Sequence, residues 1–134
     1  NPFSPTPDAE WRRLEYKVDG GAEFIMLPPI LDLDAFDTVL PRLKASGLPV
    51  LAGVVALDSI RQVEFLASEV TGVQIPDQLI DRLRSAADPA ADARTVTRAI
   101  VDGLRARVEG IHVTGLHGSP SVVEQLLEGA PTRQ

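Results

Sequence analysis

Positions 48–57 read LPVLAGVVAL, a run without a charged side chain. Its apolar residues are consecutive rather than alternating, which is typical of strands in parallel sheets that are covered on both faces. The run is about half of the roughly 20 residues that a transmembrane helix needs, and Pro49 and Gly53 interrupt it. It therefore predicts a buried strand of a parallel α/β sheet in a soluble protein.

Two further apolar runs, 22–27 and 110–116, predict two more buried strands. The first of these should end at Pro28, because proline cannot donate to a strand ladder. Helical segments before, between and after the three runs complete an alternating order of helices and strands. Such an order indicates right-handed βαβ units on a parallel sheet.

Apolar residues at helical spacing predict the helices around these strands. Capping residues are expected at Thr6 and Asp34, while Ser59 and Gln62 match a capping box. Residues 86–93 are predicted to form a small polar connection. The predicted helices cover residues 7–18, 34–43, 60–72, 76–83, 94–108 and 120–127.

The composition is that of an acidic globular chain. Its 134 residues suit one domain, and 13 basic against 19 acidic side chains leave a net charge of −6. The acidic charge and the aromatic content of 4% disfavour nucleic acid as a partner. The sequence has no cysteine for disulfides or thiolate metal sites, and residues 1–7 lack the pattern of a secretion signal. We expect a cytoplasmic protein without a membrane partner.

Candidate chemistry lies where the predicted strands end, because ligands of parallel α/β folds bind at the carboxyl ends of strands. Those ends are residues 27–29, 56–59 and 115–119. His117, in the last of them, could bind a substrate carbonyl or phosphate or transfer protons, or be an ordinary loop histidine. His112, inside the third strand, is expected to be packed and hydrogen-bonded.

Two other patterns permit a functional or a structural interpretation. Gly118-Ser119-Pro120 could hold an anion at the start of a helix or simply cap that helix. Asp32, Asp34 and Asp37 could hold a cation, but acidic residues are common where a helix begins. No metal site is predicted, because nothing is spaced to complete one with the two histidines. Three parallel strands leave two open edges, so the pattern indicates part of a larger assembly.

Several segments, taken together, resemble the methylenetetrahydrofolate reductase family. Residues 17–25, KVDGGAEFI, are similar to its K-V-x-A-G-A-x-F block, and residues 49–57 to its P-V-L-A-G-I-L-P-L strand. Residues 64–76, EFLASEVTGVQIP, resemble a run of the subgroup that also occurs fused to homocysteine methyltransferases. Residues 110–113, GIHV, are similar to a strand near the family's end, and the match is collinear over about residues 1–128.

The resemblance implies a (β/α)8 barrel, of which residues 1–134 would be a single-domain fragment with strands six, seven and eight. It implies an FAD-binding oxidoreductase of one-carbon folate metabolism and methionine biosynthesis. Such an enzyme reduces 5,10-methylenetetrahydrofolate to 5-methyltetrahydrofolate with NADH or NADPH. The implied partners are a small folate and either further copies of the chain or the rest of the same barrel. The family's catalytic carboxylates would lie outside these residues, so the isolated chain is expected to be inactive and its catalytic residues are unknown.

The resemblance places cofactor-binding positions in the first helix and the first strand. Lys17 matches a basic residue that approaches the flavin, with Arg13 and Glu10 as its neighbours toward the start of the helix. Met26 matches a position that lines the flavin in the sixth barrel strand. We therefore predict that Glu10, Arg13, Lys17 and Met26 bind the cofactor.

The resemblance places substrate-binding positions at Pro28, Asp32 and His117, and two of them depart from the family. The family's Thr-Gln, whose glutamine contacts flavin and folate, reads Leu27-Pro28, and proline has neither a side-chain amide nor an N–H. His117 stands where the family has an asparagine. Three alternatives to the standard reductase follow: hydride transfer directly between nicotinamide and folate, binding of a folate or another pterin without reduction, and a structural or interaction module.

Overall fold

Helices and strands alternate along the chain as the sequence predicts. The computed structural model describes residues 1–116 and 120–128. The elements are α1 (Pro7–Asp19), β1 (Ile25–Pro29), α2 (Leu33–Lys44), β2 (Val50–Val55), α3 (Ile60–Glu69), α4 (Asp77–Ser85), α5 (Pro89–Arg105), β3 (Gly110–Thr114) and α6 (Pro120–Leu127). In the described part of the chain, no helix is both long and apolar enough to cross a membrane.

The three strands form one parallel sheet in the order β1-β2-β3. The LPVLAGVVAL run supplies the central strand, in which Leu51 pairs with Met26 on one side and with Gly110 on the other. Two residues further on, Gly53 pairs with His112. The predicted α/β fold with parallel strands is confirmed, and the described residues form an open sheet of three strands.

One face of the sheet, which we call the covered face, packs against helices. On β2, Val50, Ala52 and Val54 are at most 1% exposed. Helix α5 packs against β2 and β3, and α2 packs against α5. Burying one large apolar side chain contributes about 1.5–3 kcal/mol, so this layer is the main source of hydrophobic stabilisation.

The opposite face, which we call the open face, carries Met26, Leu51, Gly53 and His112. Successive residues of a strand point to opposite faces, which separates this set from Val50, Ala52 and Val54. Met26 is 58% exposed, and Leu51 and His112 are partly exposed. The open face therefore presents Met26, Leu51 and His112 at least in part to solvent, whereas Gly53 and Val55 on the same face of β2 are buried.

Strand β1 corrects the prediction that Pro28 ends the strand. Both Pro28 and Pro29 lie within it, and the pairing with β2 shifts register between Met26 and Pro29. The ladder resumes where the Ile30 N–H donates to the Gly53 carbonyl oxygen at 3.0 Å. Proline is tolerated here because β1 lies at an edge of the described sheet and its bulge accommodates the missing donors.

Of the first two predicted helix caps, the position of Thr6 is confirmed and that of Asp34 is wrong. Asp32, rather than Asp34, caps α2, and its Oδ1 accepts a hydrogen bond from the Ala35 N–H at 2.8 Å. Asp34 instead lies in the first turn of that helix, where a carboxylate interacts favourably with the helix dipole. Thr6 precedes α1 as predicted but makes no side-chain capping bond.

The capping box and the polar connection are also corrected. Ser59 makes no side-chain capping bond, and the Gln62 side chain accepts from the Asp58 N–H at 2.8 Å instead. Helix α5 begins inside residues 86–93, which were predicted to be irregular. The reason is Asp88, whose side chain accepts from the Ala91 N–H at 3.0 Å and caps the helix before its first-turn proline.

Candidate functional site

A cavity of about 280 Å³ lies between α1 and β1. Glu10, Arg13 and Lys17 are spaced three and four residues apart, which puts them on one side of α1. All three line the cavity, and Met26 of β1 lines it as well. The structure thus brings together the four residues that the sequence nominates for cofactor binding, and their binding of a cofactor stays a prediction.

One carboxylate and two cations set the charge of this cavity. Glu10 accepts a hydrogen bond from Arg13 Nη1 at 2.6 Å. Lys17 forms no ion pair with another residue that the structure describes, so its ammonium is available to an anionic ligand.

The remaining wall of the cavity is largely apolar. Trp11 is nearly buried, and the Arg42 guanidinium lies 4.5 Å from the centroid of its ring, which fixes the indole from behind. Phe24, which also lines the cavity, is 51% exposed. A cation beside exposed aromatic and thioether surface suits a ligand that joins a ring system to an anionic group.

The three residues nominated for substrate binding are not brought together by the described structure. Pro28 lies in the bulge of β1 and Asp32 caps α2, which occupies one of its carboxylate oxygens. His117 lies outside the described residues, as do Gly118 and Ser119. The substrate roles of Pro28, Asp32 and His117 stay predictions.

His112 is packed and hydrogen-bonded, as the sequence predicts. It is partly buried, and its Nε2 lies 2.8 Å from the carbonyl oxygen of Leu27 on the far strand of the sheet. Sequence reasoning missed this partner, because the contact depends on the register that places His112 beside Gly53. The available signal is a histidine that pairs with a glycine on the neighbouring strand, because a glycine leaves room for the ring to reach the next strand.

Gln62 joins two loops at the carboxyl ends of the strands, a role that the sequence did not reveal. Its Oε1 accepts from the Asp58 N–H, and its Nε2 donates to the Leu116 carbonyl oxygen, both at 2.8 Å. The loop after β2 is thereby tied to the loop after β3. Phe65, which is partly exposed, borders a second cavity of about 320 Å³ at this point.

The described residues contain no group of three or more metal-ligating side chains that could hold an ion. Asp32, Asp34 and Asp37, which are close enough in the sequence to permit a cation site, do not form such a group. Asp32 caps a helix, and Asp37 instead accepts two hydrogen bonds from Arg107 at 2.6 and 2.7 Å.

Comparison with known proteins identifies a family and solved structures of similar fold. The family model described as methylenetetrahydrofolate reductase matches residues 1–126. None of the curated proteins searched matches the chain. A solved structure, described as an uncharacterized protein from Clostridium thermocellum that binds two copies of 5-methyl-5,6,7,8-tetrahydrofolic acid, is similar with a TM-score of 0.60 and 16% identity. That match covers 89% of this chain but only 46% of the other, and at this identity it establishes the fold alone.

Proposed function

The chain belongs to the methylenetetrahydrofolate reductase family, and on that premise we propose that it forms part of a (β/α)8 barrel oxidoreductase of one-carbon folate metabolism. The proposed reaction, carried out by the complete barrel, is the reduction of 5,10-methylenetetrahydrofolate to 5-methyltetrahydrofolate with NADH or NADPH. The three parallel strands would be the last three of the eight. The chain spans less than half of the similar solved structure, at 46% of its length, so we assign the catalytic acid to a part of the barrel outside this chain.

The observation that carries the proposal is the convergence of Glu10, Arg13, Lys17 and Met26 on one cavity. The resemblance implies that Lys17, with its neighbours Arg13 and Glu10, and Met26 approach the flavin, and they come from two different elements. Their chemistry suits FAD in part, because cations bind a diphosphate and the apolar wall receives a ring. The volume of about 280 Å³ is at the lower end for ligand cavities, so the chain would hold one portion of the cofactor.

Each cavity residue has a proposed task of its own. Lys17 binds a negatively charged group of the cofactor, while Glu10 holds the Arg13 guanidinium in place through their 2.6 Å hydrogen bond. Met26 and Trp11 exclude water from the bound ring. When bound, FAD supplies the hydride-transfer chemistry that no amino-acid side chain provides.

A titration with FAD tests the cavity assignment. The protein is the longest reading frame that contains this chain, and the variants are Lys17→Ala and Arg12→Ala. Arg12 is a matched control, because it is an exposed cation of α1 that does not line the cavity. Loss of one charge-assisted contact should weaken FAD binding about tenfold or more in Lys17→Ala, and Arg12→Ala should match the parent protein. Equal affinities of the two variants would contradict the assignment.

Turnover tests the reaction itself. The same protein is supplied with 5,10-methylenetetrahydrofolate and either NADH or NADPH, with and without added FAD. Oxidation of the NADH or NADPH is followed by absorbance. Folate-dependent oxidation supports the reductase, and oxidation that is independent of FAD identifies direct hydride transfer. Absence of oxidation under every condition would contradict the proposed reaction.

Folate binding without reduction is the second candidate. Pro28 favours it, because this residue stands where the family's glutamine contacts flavin and folate and it offers no side-chain amide. The description of the similar solved structure, which names bound 5-methyltetrahydrofolate, favours it as well. Saturable binding of 5-methyltetrahydrofolate in equilibrium dialysis, without turnover in the assay above, would select this candidate.

A further inference from the structure

His112 reaches across the middle strand of the sheet to the first. Its Nε2 lies 2.8 Å from the Leu27 carbonyl oxygen, although β2 separates β3 from β1. The residue that it passes is Gly53, its partner in the β2–β3 ladder. A Cβ at position 53 would lie 2.7 Å from the carbonyl carbon of Pro28 and 2.8 Å from the carbonyl oxygen of Leu27. The bulge of β1 and the glycine together bring the Leu27 carbonyl within reach of the imidazole.

This contact determines which ring nitrogen carries the hydrogen. A carbonyl oxygen only accepts hydrogen bonds, so Nε2 is the donor to Leu27. In the neutral imidazole, Nδ1 is then the unprotonated nitrogen and presents a lone pair. The hydrogen bond to Leu27 therefore fixes the tautomer of His112 in which Nδ1 is a hydrogen-bond acceptor.

The acceptor nitrogen belongs to a side chain that is only partly buried. Every fully buried side-chain nitrogen or oxygen among residues 1–116 and 120–128 has a hydrogen-bond partner. His112 is only partly buried, and within those residues its recorded side-chain hydrogen bond is made by Nε2. The His112 ring lies on the open face beside Gly53, one step further along the strands than the layer of Leu51 and the exposed Met26.

We propose that His112 binds the ligand of the open face, with Nδ1 accepting a hydrogen bond from a ring N–H or amino group. The inference rests on the proposed function, which gives the ligand class: a reduced pterin carries such donors on its aminopyrimidine ring. Met26 and Leu51 offer apolar surface to the ring beside the hydrogen bond.

Two substitutions of His112 test its hydrogen bond to the ligand. His112→Gln keeps both a donor for Leu27 and an acceptor for the ligand, whereas His112→Leu keeps neither. Calorimetry with 5-methyltetrahydrofolate should give an affinity about tenfold or more weaker for His112→Leu, and within about threefold of the parent for His112→Gln. Equal affinities of the parent and the leucine variant would overturn the inference.

A spectroscopic readout on the parent protein covers the case in which His112→Leu fails to fold. In a ¹⁵N-histidine spectrum, the resonances that His112→Gln lacks are those of the His112 ring nitrogens. We expect Nδ1 to give the resonance of an unprotonated nitrogen, and to move when 5-methyltetrahydrofolate is added. Binding in calorimetry without movement of Nδ1 would overturn the inference but leave the proposed function standing. Absence of binding by the parent would overturn both.

Discussion

The covered and open faces of the sheet differ in what their side chains contact. Val50, Ala52 and Val54 pack under helices on the covered face, whereas Met26 on the open face is 58% exposed. Yet the central strand is apolar on both faces, a pattern typical of sheets that are covered on both sides. The difference indicates that the covered face stabilises this chain and that the open face is built to receive something further, which we propose to be the interior of the barrel and its ligand.

The largest predicted effect lies beneath the covered face. Phe36 of α2 is fully buried in the core, so Phe36→Ala should reduce the free energy of unfolding by about 3–5 kcal/mol. Denaturant titration measures the loss. Phe65→Ala is the matched control, because Phe65 of α3 is partly exposed and its loss should be much smaller. Similar losses at both positions would show that the core does not lie under the covered face.

A smaller effect is expected at the only polar side chain recorded as buried among the described residues. Thr97 of α5 accepts from the Leu57 N–H at 3.3 Å and donates to the Ala93 carbonyl oxygen at 2.9 Å. Thr97→Val keeps the shape but leaves the buried Leu57 N–H without its acceptor, which should cost about 1–3 kcal/mol. Thr97→Ser, which keeps the hydroxyl, should unfold closer to the parent in thermal melts. A valine variant as stable as the parent would contradict this account.

A pH-dependent effect is predicted where the outer helices are tied together. Asp37 of α2 accepts hydrogen bonds from Arg107, which follows α5, and these bonds hold the pKa of Asp37 below its ordinary value. A lowered pKa stabilises the fold above the ordinary pKa, and the contribution is lost as pH falls through the lowered value. Asp37→Asn should therefore lower the melting temperature slightly at neutral pH. The difference from the parent should shrink toward acid pH, and a difference that grows would contradict the sign.

The smallest effect on stability is expected on the open face. Met26 is largely exposed, so Met26→Ala should change the free energy of unfolding by no more than about 0.5 kcal/mol. The same substitution should weaken ligand binding, because Met26 lines the cavity beside α1. A loss of stability that approaches that of Phe36→Ala would mean that the open face is already covered in solution, for example by a second copy of the chain.

The periodic features of the fold could be predicted from the sequence. The run at 48–57 gave the central strand because its pattern is local, and the spacing of Glu10, Arg13 and Lys17 put them on one side of a helix. The polar composition of residues 86–93 predicts a connection there, whereas in the structure α5 begins at Pro89, directly after the Asp88 cap. An aspartate followed by a proline is a local signal for the start of a helix, but polar loops have a similar composition.

The features that depend on register could not be predicted. A strand that continues through Pro28 is unfavourable by local rules, and only its position at the edge of the described sheet and the bulge beside Gly53 permit it. The bond between His112 and Leu27 joins residues 85 positions apart, and the bridge of Gln62 to Leu116 joins residues 54 apart. Neither has a signature in the local sequence, because each arises only once the strands are aligned.

The central claim is that the open face and its adjoining cavity bind a folate or its cofactor. With methyl-¹³C methionine labelling, the resonance that Met26→Ala lacks is that of Met26, which lines the cavity and reports on this surface. During titration with 5-methyltetrahydrofolate, we predict that this resonance shifts and saturates with the same dissociation constant that calorimetry measures. A resonance that stays unmoved at saturating ligand would contradict the claim.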